Sequence, residues 1–155
     1  MQHIELIDKY AAGPKLLREA VTGMSREQVT ARPVAGKWST LEVICHIADF
    51  EIVGADRLKR TIAETSPTLF GGDENVFAAR LAYHSRDLEE ELKLIESCRA
   101  STTRILRTLK TEDFQRIGKH SEAGPLTLLQ FVERGANHIP HHVKFIQEKR
   151  KALGV

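Results

Sequence analysis

Ser39-Thr40-Leu41-Glu42 is a capping box, a hydroxyl with a carboxylate three residues on, and the segment it opens is apolar on two sides. At helical spacing Leu41, Ile44, Ala48, Ala55, Leu58 and Ile62 form one stripe, while Val43, Phe50 and Val53 form a second. A helix with one apolar stripe can lie on a surface, but one with two must be enclosed by neighbours. This segment, running to about Glu64, therefore predicts the central helix of a bundle.

Three further segments carry the same periodicity. The first spans about residues 3–22, with Ile4, Ile7, Ala11, Leu17 and Val21 inward and Gly13-Pro14 placed to bend or interrupt it. Another starts from Ser85 as N-cap and repeats Leu88, Leu92, Ile95, Thr102, Leu106 and Leu109 like a bundle seam. The last runs from about Leu126 to Ala152 on Leu129, Val132, Ala136, Ile139, Val143 and Ile146. Between the second and third, Ser66-Pro67 and Gly71-Gly72 mark a loop, and residues 73–83 suit a short extra helix. Residues 115–125, with Gly118, Gly124 and Pro125, read as the last connection. No segment alternates as a strand, so the expected fold is an all-α four-helix bundle with one long connection.

A chain of 155 residues without a repeat or linker makes one domain, residues 1–155. Its 23 basic and 21 acidic residues balance too closely to mark a nucleic-acid surface. The one dense basic run, Lys149-Arg150-Lys151, suits the C-terminal end of a helix dipole. Cys45 and Cys98 lie in apolar helical patterns without CxxC spacing, which indicates reduced, buried thiols. No basic leader or membrane-length apolar run is present, and a cytoplasmic location is expected.

The chemistry of the chain is concentrated in its histidines. His138 and His142 are four residues apart, so their Cβ atoms lie about 5–6 Å from each other on one helix face. Relative to the Ile139 direction they sit about 100° and 60° to the same side, whereas His141 lies about 160° away and faces solvent. His46 falls beside Phe50 and Val53 on the inner face of the central helix and is the third ligand candidate. Three imidazoles from two helices can hold a divalent ion and leave positions open for chemistry. Pro140 lies inside the ligand pair: a full break there ruins the spacing, and a kink preserves it while freeing the Ala136 carbonyl.

Other metal and catalytic motifs are missing from the letters. No Glu precedes a His by three residues, which excludes a ferritin-like di-iron site, and HExxH, GxSxG, P-loop and GxGxxG patterns are absent. Glu51, about 140° from His46, suits a buried structural carboxylate. Asp49 is placed to orient a ligand imidazole. Trp38 suits a position packed where the chain enters the helix, or the wall of a pocket. Cys45 projects away from His46, and His3, His84 and His120 have no partners at ligand spacing and read as solvated.

Gly36-Lys37-Trp38-Ser39, then His46-Ile47-Ala48-Asp49-Phe50-Glu51, then His138-Ile139-Pro140-His141-His142 occur in an order and spacing that resembles the DinB-like superfamily, with its YfiT-type branch of inferred metal-dependent hydrolases. The resemblance implies an up-up-down-down style bundle and a metal held by His46, His138 and His142. It further implies zinc, nickel or another first-row ion, a homodimer, and thiol-dependent transferase or isomerase chemistry with a low-molecular-weight thiol. The chain departs from the commoner His-x-x-His-His-x-x-Gln pattern by carrying Phe145 in place of the glutamine.

The expected function is thus a metal-dependent enzyme acting on a small molecule, either a thiol-dependent S-transferase or isomerase, or a hydrolase. A non-catalytic metal-binding bundle would surround the ion with a fourth protein ligand. A metal-free interaction bundle would turn the three histidines apart.

Overall fold

The computed structural model describes residues 2–155. Four long helices dominate it: α1 (Gln2–Val21), α3 (Thr40–Ala63), α5 (Leu88–Leu106) and α6 (Leu128–Leu153), with short helices α2 (Arg26–Thr30) and α4 (Glu74–Arg80) between them. The Ser39 hydroxyl accepts from the Glu42 amide and the Glu42 carboxylate from the Ser39 amide, so α3 begins at its capping box. A second box, Thr127 with Gln130, starts α6, and Ser25 with Gln28 starts the unanticipated α2. Asp87, not Ser85, caps α5, since its carboxylate accepts from the Glu90 amide while Ser85 ends a 3-10 turn.

The long helices pack as a ring in the order α1, α5, α3, α6. Directions follow from cross-helix bonds. Asp8 meets Arg107 and Arg18 meets Glu89, so α1 and α5 are antiparallel. Lys9 reaches Asn137 and Arg150 reaches the Ala20 and Thr22 carbonyls, so α1 and α6 are parallel. In α3, Val43 shares a cleft with Lys149 and Leu58 one with Phe131, so α3 opposes α6. The order is therefore up-down-down-up rather than the expected up-up-down-down. Residues 64–87 make this possible, because the parallel neighbours α3 and α5 require the chain to return along the bundle before α5 starts.

The connections also hold a small sheet that the sequence reading missed. β1 (Thr68–Leu69) pairs in parallel with β2 (Ile117–His120), which pairs antiparallel with β3 (Gly124–Thr127). The sheet ties the two longest connections together and seats Leu69 and Leu126 in the core. Short helix α4 lies where one was expected, with Asp73 as its cap.

Both inner prolines are accommodated without a break: α1 continues through Pro14 and α6 through Pro140. The core has two apolar halves, one around Tyr10, Leu58, Leu106 and Phe131, the other around Leu17, Ile44, Ile95 and Ile139. A charged layer separates them. Arg99, 1% exposed, donates to Glu51 Oε2 at 2.9 Å, the Tyr10 carbonyl at 2.7 Å and the Gly135 carbonyl at 2.8 Å. The Tyr10 carbonyl is the one that Pro14, lacking an amide hydrogen, leaves without its helical donor. On α6 the guanidinium takes the Gly135 carbonyl, one residue before the Ala136 carbonyl that Pro140 frees. Gly13 makes room for it, since a Cβ there would lie 2.2 Å from Arg99 Nη1.

Candidate metal centre

The Ser39 cap fixes the start of α3 and points His46, two turns later, into the bundle, where it is 2% exposed. On α6 the continuous helix keeps His138 and His142 one turn apart on the flank facing α3. The structure brings all three predicted residues together. Their Nε2 atoms form a triangle, with 3.2 Å from His46 to His138, 3.1 Å from His46 to His142 and 3.1 Å from His138 to His142.

Hydrogen bonding cannot account for this triangle. In a neutral imidazole one ring nitrogen donates and the other accepts, so a single Nε2 cannot do both. Three mutual contacts leave at least one pair of lone pairs, or one pair of N–H groups, face to face. Protonation does not relieve the clash, because burial pushes His46 down to about 4, against the raising effect of Asp49. Burial, with the neighbouring imidazoles, pushes His138 and His142 down to about 3. Three neutral rings with converging lone pairs are the donor set of a borderline-soft divalent cation.

The distances suit one ion. At the ordinary zinc–nitrogen length of about 2.0–2.1 Å, tetrahedral ligands lie about 3.3–3.4 Å apart and ligands at right angles about 2.9 Å. The observed separations fall between. Among the described residues these three are the only group of three or more His, Cys, Asp or Glu side chains so gathered, and no fourth protein ligand joins them.

The surroundings partly match the sequence reading. Glu51 is buried and structural, held by Arg99 and by the Tyr10 hydroxyl at 2.5 Å. Burial and then the Glu51 charge push the Tyr10 phenol far above its ordinary value, so it stays a donor. Asp49 does not orient a ligand ring as expected: Arg86 claims it through both guanidinium arms, and His46 Nδ1 is buried without a partner among the described residues. His142 Nδ1 is also orphaned. Cys45 points away and donates to the Tyr83 carbonyl, and burial raises its thiol to about 12. Cys98 is only half-buried, and both thiols are free.

The remaining histidines divide. His84 and His141 are exposed as expected. His120 is instead buried, its Nδ1 accepting from the Glu122 and Ala123 amides in the turn between β2 and β3, and His3 is half-buried against the Phe114 ring. Both depend on the unanticipated connections.

Three clefts reach the triad. One, bordered by Trp38, Phe145 and Lys149, opens on His142. The other two meet His138, one bordered by Phe50, Arg57 and Arg134 and one by Gln130, Asn137 and His141. Trp38 thus lines a pocket, and its ring lies 5.4 Å from that of His46. Arg99 and Lys149 were missed as inner residues. Both nevertheless continue an apolar stripe at helical spacing, Arg99 four after Ile95 and Lys149 three after Ile146.

A four-helix bundle that converges three neutral imidazoles from two helices defines a helical protein with a candidate metal centre. The chain belongs to the DinB superfamily, whose family model matches residues 9–146. A relative from Oceanobacillus iheyensis, provisionally named a metal-dependent hydrolase, is 32% identical over 149 residues, covering 95% of this chain and 86% of the relative. YfiT of Bacillus subtilis, named in the same way, is 26% identical over 91% of this chain and 80% of its own. A solved structure of YfiT, described as a probable metal-dependent hydrolase with an unusual four-helix bundle topology, superposes with a TM-score of 0.91 at 25% identity, covering 98% of this chain and 87% of that one. A second four-helix bundle protein, TT2238, matches the fold at a TM-score of 0.68 and 24% identity, over 94% of this chain and 98% of that one. No helix among the described residues is long and apolar enough to cross a membrane.

Proposed function

We propose that this chain is a divalent-metal-dependent enzyme acting on a small molecule, with His46, His138 and His142 as the ligands of zinc or nickel. The observation that carries this reading is the Nε2 triangle, whose contacts admit no complete hydrogen-bond scheme. When bound, such an ion lowers the pKa of a coordinated water or thiol and so supplies a nucleophile near neutral pH. The residues of the chain hold the three imidazoles neutral, close the protein side of the site and leave clefts beside His138 and His142 for substrate. Hydrolysis is the reaction suggested by the names of the relatives.

One observation favours a low-molecular-weight thiol as the second reading. The carboxylates that flank His46 along α3 are all engaged, Glu42 with Arg32, Asp49 with Arg86 and Glu51 with Arg99, so none is free as a general base. A thiol, ionising near pH 8.5 before any metal is bound, needs such a base least. The expected homodimer and cytoplasmic location belong to the same proposal, the first tested by sedimentation.

The test is metal analysis of wild type, His46→Ala and His142→Ala, followed by parallel screens with ester or amide substrates and with thiol plus electrophile. One ion per chain in wild type and loss in both variants is expected. Equal metal content in all three sinks the site. Turnover only in the thiol screen selects the second reading.

A further inference from the structure

The cleft on His142 has an unusual floor. Lys149 is 2% exposed although it carries an ammonium, and among the described residues no carboxylate lies within ion-pair distance of it. Its one hydrogen bond among the described residues runs to the Phe145 carbonyl of its own helix at 3.3 Å, and its ammonium lies 6.0 Å from the centre of the Phe145 ring. Buried charges are ordinarily paired, because the cost of leaving water is otherwise uncompensated. Burial pulls the amine below its ordinary value and Lys37 adds to this, while exposed Glu148 opposes it. The cleft above holds about 250 Å³, with Trp38, Phe145 and His142 on its walls. Glu74 and Glu148 also border it, but both are solvent-exposed.

We propose that Lys149 is the anchor for a carboxylate on the substrate, with the apolar body of that molecule lying along Trp38 and Phe145 toward His142. Lys37 also borders the cleft but is solvent-exposed, so Lys149 is its buried cation, and one buried ammonium balances a monoanionic carboxylate while leaving a dianionic phosphate with uncompensated charge. The carboxylate supplies the pairing that Lys149 lacks. This deepens the enzymatic reading by naming the substrate class, an organic acid with an apolar or aromatic portion, and it rests on that reading only for what happens after binding.

Trp38 is the sole tryptophan of the chain and reports on the cleft by its fluorescence. Benzoate, its neutral counterpart benzamide, and phenyl phosphate are titrated into metal-free and zinc-loaded protein, and into Lys149→Met and Lys37→Gln variants. The expected result is benzoate bound at least tenfold more tightly than benzamide without metal, with the ratio falling to about one in Lys149→Met. Lys149→Met should melt no lower than wild type, since it removes an unpaired buried charge. In Lys37→Gln the preference survives. Equal binding of benzoate and benzamide, a preference seen only with zinc, or a preference unchanged in Lys149→Met each overturns the anchor. Tighter binding of phenyl phosphate overturns the carboxylate assignment. A Lys149-dependent preference in a protein that retains no metal leaves the anchor standing while the enzymatic reading falls.

Discussion

Replacing Arg99 by methionine tests the charged layer that joins the two halves of the core. Methionine keeps most of the aliphatic volume but removes three donors at once: those to Glu51, to the Tyr10 carbonyl and to the Gly135 carbonyl. Glu51, 4% exposed, is left with the Tyr10 hydroxyl alone. Removing one partner of a buried ion pair costs about 3–5 kcal/mol, and each carbonyl left dry adds about 1 kcal/mol. The expected loss is about 5–7 kcal/mol, a large share of the roughly 5–15 kcal/mol that holds a domain folded. At about 2–4 °C per kcal/mol for a chain of this size, the melting temperature should fall by about 10–28 °C. Urea denaturation of Arg99→Met, Glu51→Leu and the double variant measures the coupling. Because the double variant leaves no unpaired charge, it should recover several kcal/mol relative to the sum of the singles. A cost below about 1 kcal/mol for Arg99→Met, or strict additivity, would refute the reasoning.

Three other outcomes follow from the same geometry. The three triad imidazoles are held below the unfolded value of about 6.5, so the unfolded chain binds the extra protons. Metal-free protein should keep this contribution above about pH 6.5 and lose stability as pH falls toward 4, with a shallower slope in His46→Ala; a flat profile over that window would contradict it. Gly13→Ala places a Cβ against Arg99 and should cost about 1–3 kcal/mol by denaturant titration, whereas alanine ordinarily strengthens a helix. Ser39→Ala removes the cap of α3 and should cost about 1 kcal/mol, with protection from amide exchange falling first at residues 40–43 and His46 still able to bind metal.

What the sequence disclosed was local. The box at Ser39 gave the start of α3, and the four-residue step from His138 to His142 gave the flank that meets His46, because both depend on contacts within about one turn. The sheet was illegible because Thr68–Leu69 finds its partner some fifty residues away at Lys119–His120, in strands too short to alternate visibly. His120 was misjudged for the same reason. Pro14 was expected to bend or interrupt its helix, but the Arg99 donor that satisfies the freed Tyr10 carbonyl comes from α5. Asp49 was assigned to a ligand ring because its spacing allowed it, while Arg86, from the loop before α5, was invisible as a competitor. Helix direction escaped as well, since periodicity gives a helix its face and not its sense.

The separation of the triad along the chain has a consequence for how the protein matures. His138 and His142 can meet as soon as one helical turn forms, but His46 lies 92 residues before the nearer of them. An ion joining all three ties the chain into a ring of that length, which by the statistics of flexible polymers is comparable to a cross-link worth about 4–5 kcal/mol against the unfolded state. Two donors alone grip weakly, so tight capture comes only after α3 and α6 have docked. Metal content in such a protein therefore records completed folding, and a chelator acts on it as a reductant acts on a disulfide.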